Sequence, residues 1–373
     1  MSLENPFSQK TILPPEETNP ESNIKLIKAF LGTDSAEAYR KTLSGETTKP
    51  QKKPDFHLDN FDEKAFDTHE IENRLNIKKQ YETQRTIFEK IGLLETKEGM
   101  LGMTDIEGVW HNFPILEEIQ KRLKEKQTLV ETKANQGFEK LLIVPFGMSI
   151  EKFTETMKKT LLAHYVSIPD PIDPEKRIPD PSKTKLWSKN EDGTMEALKL
   201  DYRNPFSWDE GNRTLVYFPT SFTRKNHGGK TKNELLGEGQ AFHILLLESE
   251  MDIPSEGKGK EQGGRKKLEA NKTPHEYLEQ IQKNEAYQGE QGMTPETWMT
   301  LFLLHLETTN QVLDNDPAGG GSEKNTYNLG FWIPDSGWVL LGSWNRASGR
   351  AFLNRDLPNN HGIYRGCRSA VRV

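Results

Sequence analysis

Near its C-terminus the chain reads Gly342-Ser343-Trp344-Asn345, then Gly349-Arg350-Ala351-Phe352, then Gly362-Ile363-Tyr364-Arg365-Gly366-Cys367-Arg368. Just before it, Trp338-Val339-Leu340-Leu341 has the apolar run of a strand; 349–353 makes a second candidate and 363–373 a third. Short strands joined by Gly, Asn and Pro turns predict a compact antiparallel meander. The composition changes here as well. The last Gln is Gln311, the last Glu is Glu323 and the last Lys is Lys324. From Gly330 onward none of the three occurs, although average usage would place about five Lys plus Glu there. Their places are taken by Asn345, Arg346, Ser348, Arg350, Asn354, Arg355, Asp356, Asn359, Asn360, His361 and Tyr364. A tight meander also demands Asn, Asp, Gly and Ser at its turns, so composition alone leaves a purely structural reading open.

Upstream, residues 139–373 read as one mixed body. Leu141 to Pro145 is a short apolar strand, and Ser149 caps a helix that carries Phe153 and Met157 to about Tyr165. Pro169, Pro171, Pro174, Pro179 and Pro181 mark an irregular loop. Strands are expected at 214–218 and 241–247, and the Gly/Lys/Glu stretch 255–272 reads as a mobile insertion with little to bury. Thr294-Pro295-Glu296 starts a strong helix with Trp298, Leu301, Phe302, Leu304, His305 and Val312, its proline in the first turn where no amide partner is needed. His305 reads as a core imidazole, Trp332 and Trp338 as core, and 317–322 as a flexible break. Residues 56–138 carry apolar stripes at three- and four-residue steps and are expected to form a small helical region. Residues 1–55 are expected to be a flexible leader.

Bulk properties narrow the function. The 373 residues are 33% hydrophobic and 28% charged, with a net charge of -6 that offers no broad basic face for nucleic acid. Cys367 is the only cysteine, which excludes an intramolecular disulfide and a cysteine zinc site and suits a reducing compartment. No run approaches the ~20 apolar residues of a membrane helix, and Met1 to Pro20 lacks the apolar core of a signal peptide. A cytoplasmic protein is expected. Enzyme signatures fail on spacing. Gly228-Gly229-Lys230-Thr231 resembles the end of a phosphate loop, but Arg224 stands where its first glycine should be. The nine histidines form no close ligand set, and no G-x-S-x-G elbow occurs. The sequons at Asn212 and Asn271 would go unused in the cytosol.

The closing segment resembles the end of the C-type-lectin-like fold shared by formylglycine-generating enzymes and by the variable proteins of diversity-generating retroelements. That ending is a Gly-Ser-Trp strand, a polar Arg/Asn-rich loop and a Gly-Phe-Arg-like strand. The helix from Met293-Thr294-Pro295 resembles the fold's second helix, and Val144 to Tyr165 its first strand and helix. The resemblance covers 139–373, and only the last ~35 residues are specific. It implies an α+β, C-type-lectin-like fold with two helices and antiparallel sheets, preceded by the small helical region.

Within that superfamily the residues favour the variable proteins. Formylglycine-generating enzymes hold copper with paired cysteines, and this chain has one. The iron-dependent sulfoxide synthases need a histidine set, and His57, His69 and His111 lack the spacing. In the variable proteins, template adenines are miscopied, so AAY asparagine codons become Tyr, Asp, Ser, His, Gly, Arg and others. Lys, Glu, Gln and Met are out of reach, which matches the tail. The resemblance therefore implies a binding protein, not an enzyme, with no cofactor and a variable segment at about 330–366. The eleven residues named above (Asn345 to Tyr364) would be the ligand-binding set, on a framework of Gly342, Ser343, Trp344, Gly366 and Arg368. The expected partner is a protein or other macromolecule, with no nucleic acid and no membrane. The sequence leaves the oligomeric state open, a monomer included. The rival readings are a metal-dependent oxidase of the same superfamily and a non-catalytic assembly protein acting through its helical region.

Overall fold

In the computed structural model the described residues are 73–163, 215–316, 323–345 and 350–373, with five short strands between positions 167 and 200. Backbone contacts divide the chain into Met1–Lys64 and Ala65–Val373, and every element below belongs to the second unit. The expected leader, the break at 317–322 and the loop positions Arg346 and Ser348 lie outside the described residues.

Helix α1 (Ile77–Lys90) turns Ile77, Tyr81, Gln84 and Phe88 inward, at the three- and four-residue steps of an amphipathic helix. The chain then leaves the helical pattern expected for 56–138. Strands β1 (Glu95–Lys97), β2 (Met100–Thr104) and β3 (Trp110–Asn112) form an antiparallel sheet instead. The cause is the turn between β1 and β2. Glu98 and Gly99 have φ of 53° and 79°. A two-residue connection with both residues left-handed matches the twist of paired strands. Helices α2 (Leu116–Glu125) and α3 (Gln127–Asn135) follow, and their Ile119, Leu123 and Val130 join the core that holds Leu141 to Val144.

Strand β4 (Phe138–Val144) and helix α4 (Ile150–Ala163) come next, with Ser149 Oγ accepting from the Lys152 amide at the helix start. Short strands β5 (Ser167–Pro169), β6 (Arg177–Pro179), β7 (Ser188–Lys189), β8 (Met195–Glu196) and β9 (Leu198–Leu200) lead to β10 (Val216–Tyr217) and α5 (Lys232–Gly237). After β11 (His243–Glu248) come β12 (Glu261–Gln262), β13 (Arg265–Lys266), α6 (Pro274–Lys283) and β14 (Glu290–Gly292). The last elements are α7 (Pro295–Thr309), β15 (Asn325–Ile333), β16 (Trp338–Asn345), β17 (Arg350–Asp356), β18 (Arg365–Cys367) and β19 (Ser369–Arg372).

Two sheets organise this unit. The smaller is antiparallel, in the order β14-β19-β11-β4. Leu141, Leu142, Ile143 and Val144 are all fully buried, as a strand covered on both faces requires. The outer edge of β4 is closed by a helix. Gln84 accepts from the Ile143 amide and donates to the Leu141 carbonyl, at 2.9 and 3.0 Å. Gln80 does the same with the Leu141 amide and the Glu139 carbonyl, at 2.8 and 2.9 Å. The larger sheet runs β10-β15-β16-β17-β9, with β18 lying parallel to β15. Its faces meet two cores. Leu340 and Phe331 join the main one, while Val339, Leu341 and Tyr327 join a second with Tyr277, Trp332 and Cys367. That split follows the period-two alternation of a strand.

Helix α7 starts as its sequence implies. Thr294 Oγ1 accepts from the Thr297 amide, proline follows, and Asn310 ends the helix with a left-handed φ of 56°. Trp298, Met299, Leu301, Phe302 and Leu303 are all buried, so the helix is enclosed nearly all round. The single strand expected at 363–373 divides at Arg368: β18 joins the larger sheet, while β19 lies between β14 and β11 in the smaller one.

The stretch 255–272 is not a loose insertion. Arg265 is buried, pairing with Glu290 at 2.7 Å and Glu248 at 2.6 Å, and Lys133 reaches Glu290 at 2.6 Å. Ser369 donates to the same carboxylate at 2.5 Å. Tyr277 and Tyr287 hydroxyls donate to the Glu269 and Lys266 carbonyls, both at 2.5 Å. A charged run reads as solvated when its partners are distant in sequence; here they come from β11, β14 and β19. Buried charges of this kind persist only when paired.

Candidate functional site

The closing strands rest on a helix through one glycine. A Cβ built at Gly342 would come within 2.3 Å of the Trp298 ring. The Trp298 indole donates to Asp314 at 2.7 Å, and Thr326 donates to the same carboxylate oxygen at 2.7 Å. Arg368 pairs with Asp314 at 2.6 Å, bonds Thr326 and donates to the Met251 carbonyl. Ser343 and Trp344 are buried, and a Cβ at Gly366 would come within 2.4 Å of Ile253. Gly342, Ser343, Trp344, Gly366 and Arg368 therefore all belong to a close-packed support.

Strands β16 and β17 pair from Val339 opposite Asp356 to Asn345 opposite Arg350. Ala351 and Leu353 point into the core, while Arg350, Phe352 and Asn354 alternate onto the other face, half-buried. Beyond β17 the chain makes the loop 357–364 and returns as β18. Asp356 fastens that loop. Its side chain is buried and accepts from the Tyr327 hydroxyl at 2.8 Å, the Asn360 amide at 2.7 Å and the Leu357 backbone at 2.9 Å. Arg365 closes the far end of the loop on the same carboxylate at 2.5 Å. Burial, reinforced by the Asp356 charge, pushes the Tyr327 hydroxyl above its ordinary range and keeps it a donor. Asp356 thus positions the loop, whereas its sequence position alone suggests display. The 255–272 stretch and the residues after it brace the loop from outside. The Asn271 amide donates to the Arg365 carbonyl at 3.0 Å, and the Asn271 side chain meets His361 at 3.1 Å.

The loop, β17 and the start of β15 enclose a concavity of about 450 Å³. Asn354, Arg355, Asp356, His361 and Tyr364 of the expected ligand-binding set line it together. Arg355 also lies over Trp338, its guanidinium carbon 3.3 Å from a ring centre, and the Lys324 ammonium sits 5.2 Å from the Tyr364 ring. Asn359 and Asn360 are exposed on the loop. Asn345 and Arg350 face one another at the opposite end of the β16–β17 pair. The set is therefore one concavity plus a separate strand end.

Sequence reading missed four residues here. Leu357 and Ile363 are 49% and 59% exposed, two large apolar side chains turned to solvent from one loop. Their signal was an apolar residue in a Pro/Asn-rich loop with no period to bury it. Ile363, Asp316 and Asn325 line the concavity; pairing with Arg365 brings Asn325 there, and the bond from the Asp316 amide to the Trp344 carbonyl at 2.7 Å holds Asp316. No local pattern announces that placement.

Elsewhere, the polar groups that could suggest catalysis serve the fold. Lys230 bridges to Tyr217 through both backbone bonds, and a Cβ at Gly229 would meet Val216 at 2.4 Å. The glycines at 228–229 therefore admit a close strand, and Thr231 caps α5. His243 is buried and stacked on Phe146 at 4.0 Å; burial, then Arg372 and Lys232, drives its pKa well below the ordinary value. His305 is half-buried, with its pKa lowered first by burial. Burial also pushes the Cys367 thiol up, which disfavours the reactive thiolate. Among the described residues no three His, Cys, Asp or Glu side chains group to hold a metal ion, and no helix is long and apolar enough to cross a membrane. Comparison with known proteins adds no relative: no family model, no curated protein and no solved structure matches the chain.

Proposed function

We propose that this chain is a ligand-binding protein of C-type-lectin-like fold, the variable protein of a diversity-generating retroelement, working in the cytoplasm without a cofactor. The observation that carries the reading is the concavity walled by the 357–364 loop. Its lining comes largely from the segment without Lys, Glu or Gln, and it rests on buried, hydrogen-bonded residues. Such a division separates what must stay constant from what is free to change. Core substitutions disturb packing, whereas surface substitutions usually cost little. Leu357 and Ile363 fit the same scheme, since miscopied AAY codons also yield Leu and Ile. The helix pair α4 and α7, and a C-terminal strand inserted between β14 and β11, support the fold assignment.

Tyr364, His361, Asn354, Asn359 and Asn360 are suited to a binding surface. Tyrosine brings area at low entropy cost, and asparagine brings adaptable hydrogen bonds. Holding the loop at both ends through Asp356 reduces the ordering cost of association. The oxidase reading draws less support, because the one cysteine, the buried Cys367, cannot supply a paired-cysteine copper site.

The test is to sequence the DNA beside the gene. The expected result is a near-copy of the codons for 330–366, differing only where the copy carries adenines, next to a reverse-transcriptase gene. Absence of any such copy would overturn the diversification reading and leave a fixed site.

A further inference from the structure

The lining of the concavity offers open donors, while its best acceptor is already engaged. Both carboxylate oxygens of Asp356 are bonded, one by the Leu357 backbone and the Asn360 side chain, the other by Tyr327 and Arg365. Four such bonds fill the lone pairs of a carboxylate. Asn325 Oδ1 is closed to solvent and meets no occupant. The donors stand open. Arg365 gives Nη1 to Asp356 but its side chain is 37% exposed, with further guanidinium N–H groups to offer. Tyr364 is 44% exposed, and neither its hydroxyl nor the Asn354 side-chain amide bonds another residue of the chain. A cation stands beside them. The Lys324 ammonium sits 5.2 Å from the Tyr364 ring, and among the described residues no carboxylate pairs with it. Its neighbour Glu323 is turned to the Asn315 amide. In the lining itself Arg355 and Arg365 balance Asp316 and Asp356, so Lys324 tips the local sign to positive.

Resting on the binding reading above, we propose that the concavity takes an acidic segment of a protein partner, one carboxylate of which accepts from Arg365, Asn354 and Tyr364 with the Lys324 charge beside it. A carboxylate brings acceptors alone, and hydrogen bonds between charged groups are roughly twice as strong as neutral ones. Lys324 lies before residue 330, outside the segment that the reading lets vary, so it is a constant cation beside changeable donors. Ile363 is 59% exposed and lines the same space, which gives the residues flanking the acid an apolar contact. A run of phosphates is disfavoured by the Asp316 carboxylate and by the net charge of -6, so a single acid on a peptide fits better than a nucleic acid. At about 450 Å³ the space holds a few residues of chain, within the ~300–1,000 Å³ usual for ligand pockets.

The experiment uses the full chain and a random linear heptapeptide library displayed on phage. Selected peptides are synthesised with their acid, and again with Asn or Gln in its place. Affinities are measured by titration against the wild type, Lys324→Gln, and a triple variant that adds Asn354→Ala and Tyr364→Phe. The expected result is peptides enriched in Asp or Glu over the unselected library, whose amide versions bind roughly ten-fold more weakly. Lys324→Gln should weaken the acidic peptides roughly three-fold and leave the amide versions unchanged. The triple variant should bring the acidic peptides down to the level of their amide versions, with its circular dichroism spectrum and melting temperature held. Should the triple variant fail to fold, Lys324→Gln still decides, because that ammonium makes no bond in the chain. Peptides without acidic enrichment, amide versions that bind equally well, or an empty selection would overturn the proposal. So would a single-stranded oligonucleotide that binds the wild type and is released by Lys324→Gln when the library yields nothing. The outcomes separate from the DNA test. A template copy beside peptides indifferent to their acid keeps the variable-protein reading and removes this one. Acid-dependent peptides without a template copy do the reverse.

Discussion

Two polar loops meet where Asn271 touches His361, and they dispose of their side chains in opposite ways. The stretch 255–272 sends Arg265 inward to Glu290 and Glu248, and its tyrosine contacts fix its carbonyls. The loop 357–364 sends Leu357, Asn359, His361, Ile363 and Tyr364 outward and is held largely through Asp356, which Asn360 and Arg365 bond, and by contacts of Pro358 with His275 and of His361 with Asn271. Order in a loop therefore has two sources here. One is burial of its own charges; the other is attachment to a fixed neighbour, which leaves the side chains available to a ligand.

The sharpest way to break this contrast is Glu290→Ala. It would strand the Lys133 charge in the interior and leave Arg265 with Glu248 alone, and a loss of about 3–5 kcal/mol is expected by urea denaturation. An unchanged midpoint would mean that 255–272 is held by something else. Asp356→Ala comes next. It removes four bonds around one carboxylate and should cost about 2 kcal/mol, with faster hydrogen exchange confined to 357–365. If exchange quickened equally in 255–272, the two loops would be one unit and the contrast would fail.

A pH titration tests the fixed body behind both loops. His243 stays neutral when folded because its pKa lies well below 6.5, whereas the unfolded chain takes up a proton as pH falls through that value. The unfolded state then binds more protons, so stability should fall below about pH 6.5, approaching about 1.4 kcal/mol per pH unit from this residue. His243→Gln should flatten that part of the curve, and an identical slope in the variant would discount the burial. The smallest effect is expected on the display side. Asn359→Ser, His361→Ser and Tyr364→Ser should each shift stability by no more than about 0.5 kcal/mol in thermal melts. A larger loss at any of them would move that residue from display to support.

How much of this was legible depended on whether the deciding contact was local. The start of α7 at Thr294-Pro295, the cap at Ser149 and the apolar runs of β4 and β11 were readable because caps and burial patterns act within a few residues. The hairpin at Glu98-Gly99 was missed because helical spacing on both sides concealed two left-handed residues. The division of 363–373 between two sheets turns on Arg368 finding Asp314, more than fifty positions away. In the candidate site, the polar composition of the tail was visible. Asn325 was not, because only the parallel pairing of β15 with β18 brings it there.

The two glutamines of α1 have a consequence for how copies of this chain behave in company. An unpaired strand edge is a template on which another chain can add its own strand. Gln80 and Gln84 occupy the donors and acceptors that β4 would otherwise offer, so side-chain amides impersonate a neighbouring strand that can recruit no successor. A version of the chain shorn of α1 would lose that terminator and uncover the apolar Leu141-to-Val144 edge, on which copies could stack into fibres.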